Sequence, residues 1–270
     1  MFIGSEGTLG VITRIVLKLH PKPGCTMAAV CALPDYAAVV KLLARARRGL
    51  GPLLSAFEVM WPDYWQVVTE RVGVQSPVKG RHGAYVLVEA QGTDETIDGP
   101  RFQAWMESLL EEEALLADAA VAQSIADVQS FWALRDACAE FFQVLGPHIS
   151  YDIGLPVKAM DDYARRSAPA LAARIPGCEV VHYGHIGDGN LHLVSWVTGL
   201  PIERQPKEAM DAIIYGLVRD MGGSVSAEHG IGTMKKKWLG HARSEAEIAL
   251  MRTLKAALDP QGLLNPGKVV

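Results

Sequence analysis

The stretch CEVVHYGHIGDGNLHLVSWV, residues 178–197, decides the fold. Two runs rich in β-branched and aromatic residues flank Asp188-Gly189, a dipeptide typical of a two-residue type I′ hairpin turn. Strands joined by so short a turn must be antiparallel, so the sheet that contains them is not wholly parallel. The stretch therefore favours an α+β fold over a doubly wound parallel sheet.

Alternating strand and helix patterns continue outward from this hairpin. Apolar, β-rich runs predict strands at residues 178–185 and 191–197 and also at 27–33, 55–60 and 85–90. Amphipathic stretches predict helices at residues 35–48, 62–72, 96–113, 125–144, 157–174 and 207–221, and two more before Asp259-Pro260. We expect an antiparallel sheet covered by helices.

The first 23 residues have a different character. A glycine-rich loop, Gly4 to Gly10, precedes one apolar run, Val11 to Leu19, which predicts a strand ended by Pro21 and Pro23. A lone strand cannot bury both faces. We therefore expect residues 1–23 to be the last loop and strand of another domain, residues 24–270 to form a second domain, and the chain to be a fragment.

The bulk composition excludes several classes of protein. A net charge of −4 with short basic clusters does not indicate nucleic-acid binding, and four cysteines without a CxxC pair do not indicate an iron–sulfur site or a disulfide scaffold. No apolar run reaches the roughly 18 residues of a spanning helix, and no signal peptide is recognisable. We expect a cytoplasmic protein, or a mitochondrial matrix protein in a eukaryote, with peripheral membrane association left open.

The hairpin also carries the densest group of residues able to bind a metal. A two-residue turn would place His185 directly opposite His192, and paired side chains on one sheet face lie close enough for both imidazoles to reach one ion. Glu228 is the best third ligand, because two histidines and a carboxylate are a common open catalytic set. His229 would then point beside the ion and suits a base. The alternative is a polar cross-strand pair and a solvated loop.

Four stretches in this order resemble the FAD-linked oxidases of the vanillyl-alcohol-oxidase type, particularly the D-2-hydroxyglutarate dehydrogenase, D-lactate dehydrogenase and glycolate oxidase flavin-subunit group. They are residues 3–10, 185–192, 228–232 and 259–268. The resemblance implies an amino-terminal FAD domain, mostly missing here, followed by a substrate and metal domain. It also implies that the tail of this second domain, residues 259–270, returns to the FAD side. The cofactor-binding residues that it implies are Gly4, Ser5, Glu6, Gly7, Gly10, Ile12, Asn265 and Lys268.

The resemblance also implies a reaction. A divalent metal, zinc or manganese, on His185, His192 and Glu228 would bind the 2-hydroxyl and carboxylate of a 2-hydroxy acid, His229 would accept the proton, and the flavin would accept the hydride. Arg135 matches an arginine that binds the substrate carboxylate. The implied partners are the missing FAD domain, an electron acceptor (a quinone, a cytochrome or an electron-transfer flavoprotein) and a second copy in a homodimer.

Three positions depart from the relatives specific for 2-hydroxyglutarate. Ala139, Ser150 and Val194 stand where those relatives tend to have Thr, Lys and Asn. Loss of the cation disfavours a diacid, so we expect a monoacid with a short or apolar tail. The alternative function is a metal-dependent hydrolase or a non-catalytic metal-binding α+β domain, neither of which needs the two chain ends that resemble flavin-binding segments.

Overall fold

A seven-stranded antiparallel sheet forms the centre of the protein in the computed structural model, which describes residues 1–111 and 115–270. In chain order the strands are β1 (Cys25–Leu33), β2 (Leu54–Met60), β3 (Ala84–Gly92), β4 (Asp118–Val121), β5 (Ile149–Gly154), β6 (Cys178–Gly184) and β7 (Asn190–Val197). Their order across the sheet is β4-β1-β3-β2-β6-β7-β5, and each pairing is antiparallel. The predicted α+β class with an antiparallel sheet is confirmed.

Helices cover both faces of this sheet. They are α1 (Tyr36–Gly49), α2 (Pro62–Gln66), α3 (Glu95–Leu110), α4 (Ile125–Asp136), α5 (Phe141–Leu145), α6 (Met160–Arg174), α7 (Lys207–Asp220) and α8 (Glu245–Leu258). Buried side chains of α1, α3, α6 and α7 pack on one face, and those of α2, α4 and α5 pack on the other. No helix in these described residues is long and apolar enough to cross a bilayer.

Several predicted elements end differently in the structure. The predicted helix 125–144 is broken, because α4 passes into a 3₁₀ helix, Ala137–Glu140, before α5. The last predicted residues of the 96–113 helix lie outside the described residues. β4 and β5 were not predicted, since β4 has four residues and Asp152 interrupts the apolar pattern of β5.

The predicted strand at Val11 to Leu19 is wrong. These residues adopt no regular secondary structure, and their apolar side chains are exposed, with Val16 fully so. A strand requires a neighbour that pairs with its backbone groups, and none of the described strands pairs with this segment. The apolar pattern was present in the sequence, but the pairing that would make it a strand was not.

Candidate metal centre and active site

Three side chains with metal-binding atoms converge where β6 ends and β7 begins. Ligand atoms of His185, His192 and Glu228 all lie within 4.8 Å of one another. Glu228 Oε1 is 3.2 Å from His192 Nε2 and 3.7 Å from His185 Nε2. A tetrahedral ion with bonds of about 2.1 Å separates its ligands by about 3.4 Å, so the two distances fit a shared divalent ion.

The register that brings the two histidines together differs from the predicted one. Tyr183, not His185, is paired with His192, and four residues, 186–189, form the turn. A type I′ turn needs positive φ at both central residues, whereas of Asp188 and Gly189 only Gly189 has it (86°). A shift of two residues keeps every side chain on its predicted face. The rings of His185 and His192 consequently still meet, with centroids 5.0 Å apart.

The two histidines have opposite electrostatic environments. Burial, followed by the nearby His185 and Arg135, lowers the pKa of His192 to about 4, so its ring is neutral at pH 7 and able to bind a metal. The hydrogen bond to Glu58 raises the pKa of His185. That bond joins His185 Nδ1 to Glu58 Oε1 at 2.7 Å, so the proton lies on Nδ1 and Nε2 faces Glu228.

Glu58 is the residue of the site that sequence analysis missed most clearly. It is buried on β2, where it accepts hydrogen bonds from His185 and from Arg135 Nε, both at 2.7 Å. Burial opposes its ionisation, but these two partners outweigh burial and lower the pKa of Glu58. A buried carboxylate behind a metal-binding histidine is a common way to orient the ring. The signal in the sequence was one acid within an otherwise apolar strand.

Arg135 lies beside the three ligands, as predicted, but it is buried and already has partners. Its Nε donates to Glu58, its Nη2 is 3.2 Å from His185 Nε2, and its guanidinium lies 4.9 Å above the ring of Tyr183. This contact involves His185 Nε2, which is the ring nitrogen that would bind a metal. Nη2 is therefore the guanidinium nitrogen nearest the candidate metal position.

Glu228 and His229 lie on a loop, residues 226–232, that we call the ligand loop. Asn190 Nδ2 donates to Glu228 Oε1 at 2.5 Å, and the His229 ring lies 6.1 Å from that of His192 and is inclined to it by 27°. Below them is Asp152, which is fully buried and 3.2 Å from Lys235 Nζ. Burial would raise the pKa of Asp152, but the His229 amide, Ser226 and Lys235 outweigh burial and lower it to about 2.

Two clefts meet at Glu228 and make the candidate site accessible. One, of about 440 Å³, is lined by His185, Glu58 and the apolar residues Leu43 and Phe57. The other, of about 370 Å³, is lined by His229, Gly230 and Glu6. A small molecule can therefore approach the ligands from either side of Glu228.

Of the residues expected to contact a flavin, Gly4 and Glu6 line the second cleft. Glu6 accepts hydrogen bonds from the ligand loop, and Asn265 Nδ2 donates to the Glu6 carbonyl. Gly4 and Gly7 have positive φ, Gly10 faces the Phe2 ring, and Ser5 Oγ donates to the Phe2 carbonyl. Ile12 is exposed, and half-buried Lys268 precedes Val269, whose amide donates to the Gly232 carbonyl. The two chain ends thus meet beside the ligand loop.

A second set of polar residues resembles a hydrolytic triad but is closed to substrate. Ser167 Oγ is 2.8 Å from His182 Nε2, and Asp63 Oδ2 is 2.6 Å from His182 Nδ1. Ser167 is fully buried and His182 is 1% exposed, so no substrate reaches the hydroxyl. As the side-chain alternation predicts, His182 lies on the face opposite His192. The set connects β6 to α6 and α2.

The antiparallel sheet and the cluster beside the turn between β6 and β7 are the fold and the candidate site of a domain of the FAD-linked oxidase class. The family described as FAD linked oxidases, C-terminal domain, matches residues 22–269, and the chain belongs to it. D-2-hydroxyglutarate dehydrogenase, mitochondrial, of Arabidopsis thaliana is 36% identical over 100% of this chain and 47% of its own length. A mitochondrial Schizosaccharomyces pombe protein, named provisionally as a D-lactate dehydrogenase, is 35% identical over 100% of this chain and 52% of its own.

A solved structure has the same fold at much lower identity. The 4-ethylphenol oxidase from Gulosibacter chungangensis superposes with a TM-score of 0.65 at 15% identity, over 94% of this chain and 55% of that one. The chain spans about half the length of the curated relatives that it matches.

Proposed function

We propose that this chain supplies the substrate and metal site for FAD-dependent oxidation of a D-2-hydroxy acid to the 2-oxo acid. The observation that carries the proposal is the convergence of His185, His192 and Glu228 beside Arg135 and His229. Relatives that match the whole chain are named D-2-hydroxyglutarate and D-lactate dehydrogenases. Family membership makes FAD the redox cofactor of the proposal.

Each residue of the cluster has a distinct task in the proposed reaction. When bound, a divalent ion, zinc or manganese, would supply Lewis acidity toward the 2-hydroxyl, and FAD would supply the acceptor for the hydride. His185, His192 and Glu228 would hold the ion, with the His185 tautomer fixed by Glu58. His229 would accept the hydroxyl proton at a ring nitrogen.

Arg135 would bind the substrate carboxylate. Its Nη2 loses an acceptor when His185 Nε2 binds a metal, and a carboxylate oxygen can replace it. Glu58 keeps the guanidinium in place through Nε during that exchange. Residues 4–10, Ile12, Asn265 and Lys268 would border the flavin.

The substrate that we propose is a monoacid with a short or apolar tail. Val194 and Ser150 are paired directly across β7 and β5, and Val194 lies two residues beyond His192 on the same face. An amide at position 194 and a cation at position 150 would face a distal carboxylate, and this chain has Val and Ser there instead. D-Lactate therefore suits the site better than D-2-hydroxyglutarate.

Metal analysis tests the foundation of this proposal. We expect the wild-type chain to bind about one equivalent of Zn²⁺ or Mn²⁺. A His185→Ala, His192→Ala double variant is expected to bind almost none, because two of three ligands are gone. A His148→Ala, His241→Ala variant removes two half-buried histidines outside the cluster and is expected to match the wild type. Equal metal content in all three proteins would refute the metal site.

Titration calorimetry with hydroxy acids tests the substrate. The metal-loaded chain is expected to bind D-lactate more tightly than D-2-hydroxyglutarate, and Arg135→Gln should weaken both. Tighter binding of the diacid would overturn the substrate class, and binding independent of metal would overturn the proposed role of the ion. A hydrolase would require a different substrate class altogether, so hydroxy acid binding separates the two functions.

A further inference from the structure

Two carboxylates from separate parts of the chain bind most of the backbone N–H groups of the ligand loop, residues 226–232. Asp152 on β5 accepts hydrogen bonds from the amides of Ala227, Glu228 and His229, at 2.9 to 3.3 Å. Glu6 accepts from the amides of Ile231 and Gly232, at 2.6 and 2.7 Å. Together they bind five of the six backbone N–H groups from residue 227 to residue 232.

The loop requires such external fixation. Gly230 and Gly232 both have positive φ, and the side chains of Glu228 and His229 are 50% and 62% exposed. Apolar packing therefore does little to hold either side chain. A carboxylate presents two oxygens with about four acceptor positions, so it can bind several consecutive amides that a neutral side chain could not.

Asp152 is placed where it can set the position of the loop relative to the histidines. It is paired directly with His192 across β5 and β7, so its carboxylate projects from the sheet beside that ligand. Its oxygens are also bound by Ser226 Oγ and Lys235 Nζ, at 2.8 and 3.2 Å. With all these donors Asp152 is occupied as a hydrogen-bond acceptor, which distinguishes it from a fourth metal ligand.

Glu6 connects the same loop to the segment expected to face the flavin. It has positive φ (53°), and a Cβ at Gly230 would lie 2.8 Å from its Oε1, so glycine at 230 lets the Glu6 carboxylate approach the loop this closely. The Glu6 carbonyl in turn accepts from Asn265. The carboxylate thus joins the amino-terminal loop, the ligand loop and the tail.

We infer that Asp152 and Glu6 are positioning residues that together place Glu228 and His229 between the metal-binding histidines and the flavin-side loop. The inference rests on the proposed function for the tasks of Glu228 and His229. Asp152 holds residues 227–229 of the loop beside β7, and Glu6 holds residues 231 and 232 beside residues 4–10. The proton acceptor is thereby held at a fixed distance from the segment that would border the hydride acceptor.

We call the hydrogen bonds from the loop amides to Asp152 and Glu6 the clamp. Hydrogen exchange of the full chain, without metal, tests it directly. Asp152→Asn is expected to speed exchange of amides 227–229, and Glu6→Gln that of amides 231 and 232, each in its own half of the loop. The controls are Asp211→Asn, another buried aspartate, and Glu208→Gln, an exposed glutamate, neither of which contacts the loop. Unchanged exchange at all five amides in both variants would overturn the inference.

Cobalt binding tests the consequence for the metal. Asp152→Asn is expected to weaken Co²⁺ binding by about 10-fold or more and to alter its visible absorption, because Glu228 loses its position. Asp211→Asn is expected to change affinity by less than about 2-fold. Wild-type affinity and spectrum in Asp152→Asn would overturn its positioning role. If Asp152→Asn does not fold, Glu6→Gln on its half-buried loop still tests the clamp by exchange.

The two experiments separate the clamp from the proposed function. Equal Co²⁺ binding by the wild type and the His185→Ala, His192→Ala variant would refute the metal site. The clamp would then stand or fall on the exchange rates alone. Normal metal binding with unchanged exchange would refute the clamp and leave the proposed function intact.

Discussion

Glu58 joins a candidate metal ligand to the candidate substrate-binding arginine through two hydrogen bonds of equal length, 2.7 Å. Glu58→Gln keeps the side-chain shape but removes the charge and leaves one acceptor for two donors. We expect metal affinity to fall by about 10- to 100-fold, as for other residues that orient a ligand. Loss of the charge also leaves Arg135 buried without its counter-ion, so thermal stability should fall.

Glu89→Gln is the matched control for this variant. Glu89 is equally buried on the adjacent strand β3 and bonds Ser55, Gln91 and Trp132, but it contacts none of the three ligands. Calorimetric titration with Zn²⁺ should therefore give wild-type affinity for Glu89→Gln. Equal affinities of the two variants would mean that Glu58 has no role beyond stability.

At the scale of single residues, the sequence predicted the convergence of the three candidate ligands better than it predicted their surroundings. His185, His192 and Glu228 were recognisable because their residue types and spacing have a specific chemistry. Glu58 and Asp152 act through partners that are distant along the chain, and only the pairing of strands brings these two carboxylates to the site. A local pattern contains no information on such pairings.

At the scale of elements, the turn between β6 and β7 determines where His185 lies. Gly189 has a φ of 86°, and a Cβ there would lie 3.1 Å from the Leu155 carbonyl oxygen. Gly189→Ala should therefore destabilise the protein by about 1 to 2 kcal/mol and weaken metal binding, since left-handed backbone is strained for an L residue. Denaturant titration and Zn²⁺ calorimetry measure the two effects.

Gly187 offers a control within the same turn. A Cβ at Gly187 has no neighbour within 4 Å, and its φ is outside the left-handed region. Gly187→Ala should be nearly neutral in both measurements. If both variants behave alike, the turn does not position His185.

Elements were predicted well where their pattern was local and poorly where it depended on partners. Helix α1 begins after Asp35, whose side chain caps the Ala38 amide, and the predicted start at residue 35 differs from it by one position. Val11 to Leu19 has a strand-like composition but no partner, and it formed no strand. The two-residue turn likewise required positive φ at Asp188, and a four-residue turn avoids that strain.

At the scale of the whole molecule, one apolar segment is exposed to solvent while several polar residues of the candidate site are buried. Residues 11–19 present apolar side chains to solvent, whereas Glu58, Arg135, Asp152 and His192 are buried, Glu58 in an ion pair with Arg135 and Asp152 in one with Lys235. A buried titratable group has a different pKa in the folded and the unfolded chain, so the stability of the fold depends on pH through this site. His192 is the clearest case.

Protonation of His192 should destabilise the metal-free protein between pH 6.5 and 4.5. The pKa of His192 is about 4 in the folded chain and 6.5 in an unfolded one, so the unfolded chain binds the extra proton throughout this window. The free energy of unfolding should fall by about 2 to 3 kcal/mol as the pH is lowered. The raised pKa of His185 changes the free energy of unfolding above pH 6.5. The lowered pKa values of Glu58 and Asp152 change it below pH 4.5.

Urea unfolding in the presence of a chelator, repeated across this range, measures the effect. His192→Gln replaces the titrating ring with a neutral group of similar size, so its stability should be nearly independent of pH from 6.5 to 4.5. Saturating Zn²⁺ should stabilise the wild type most at pH 7, where its ligands bind no competing protons, and progressively less toward pH 5. The same pH slope in wild type and His192→Gln would show that another group controls acid stability and that His192 is not the neutral ligand that the site requires.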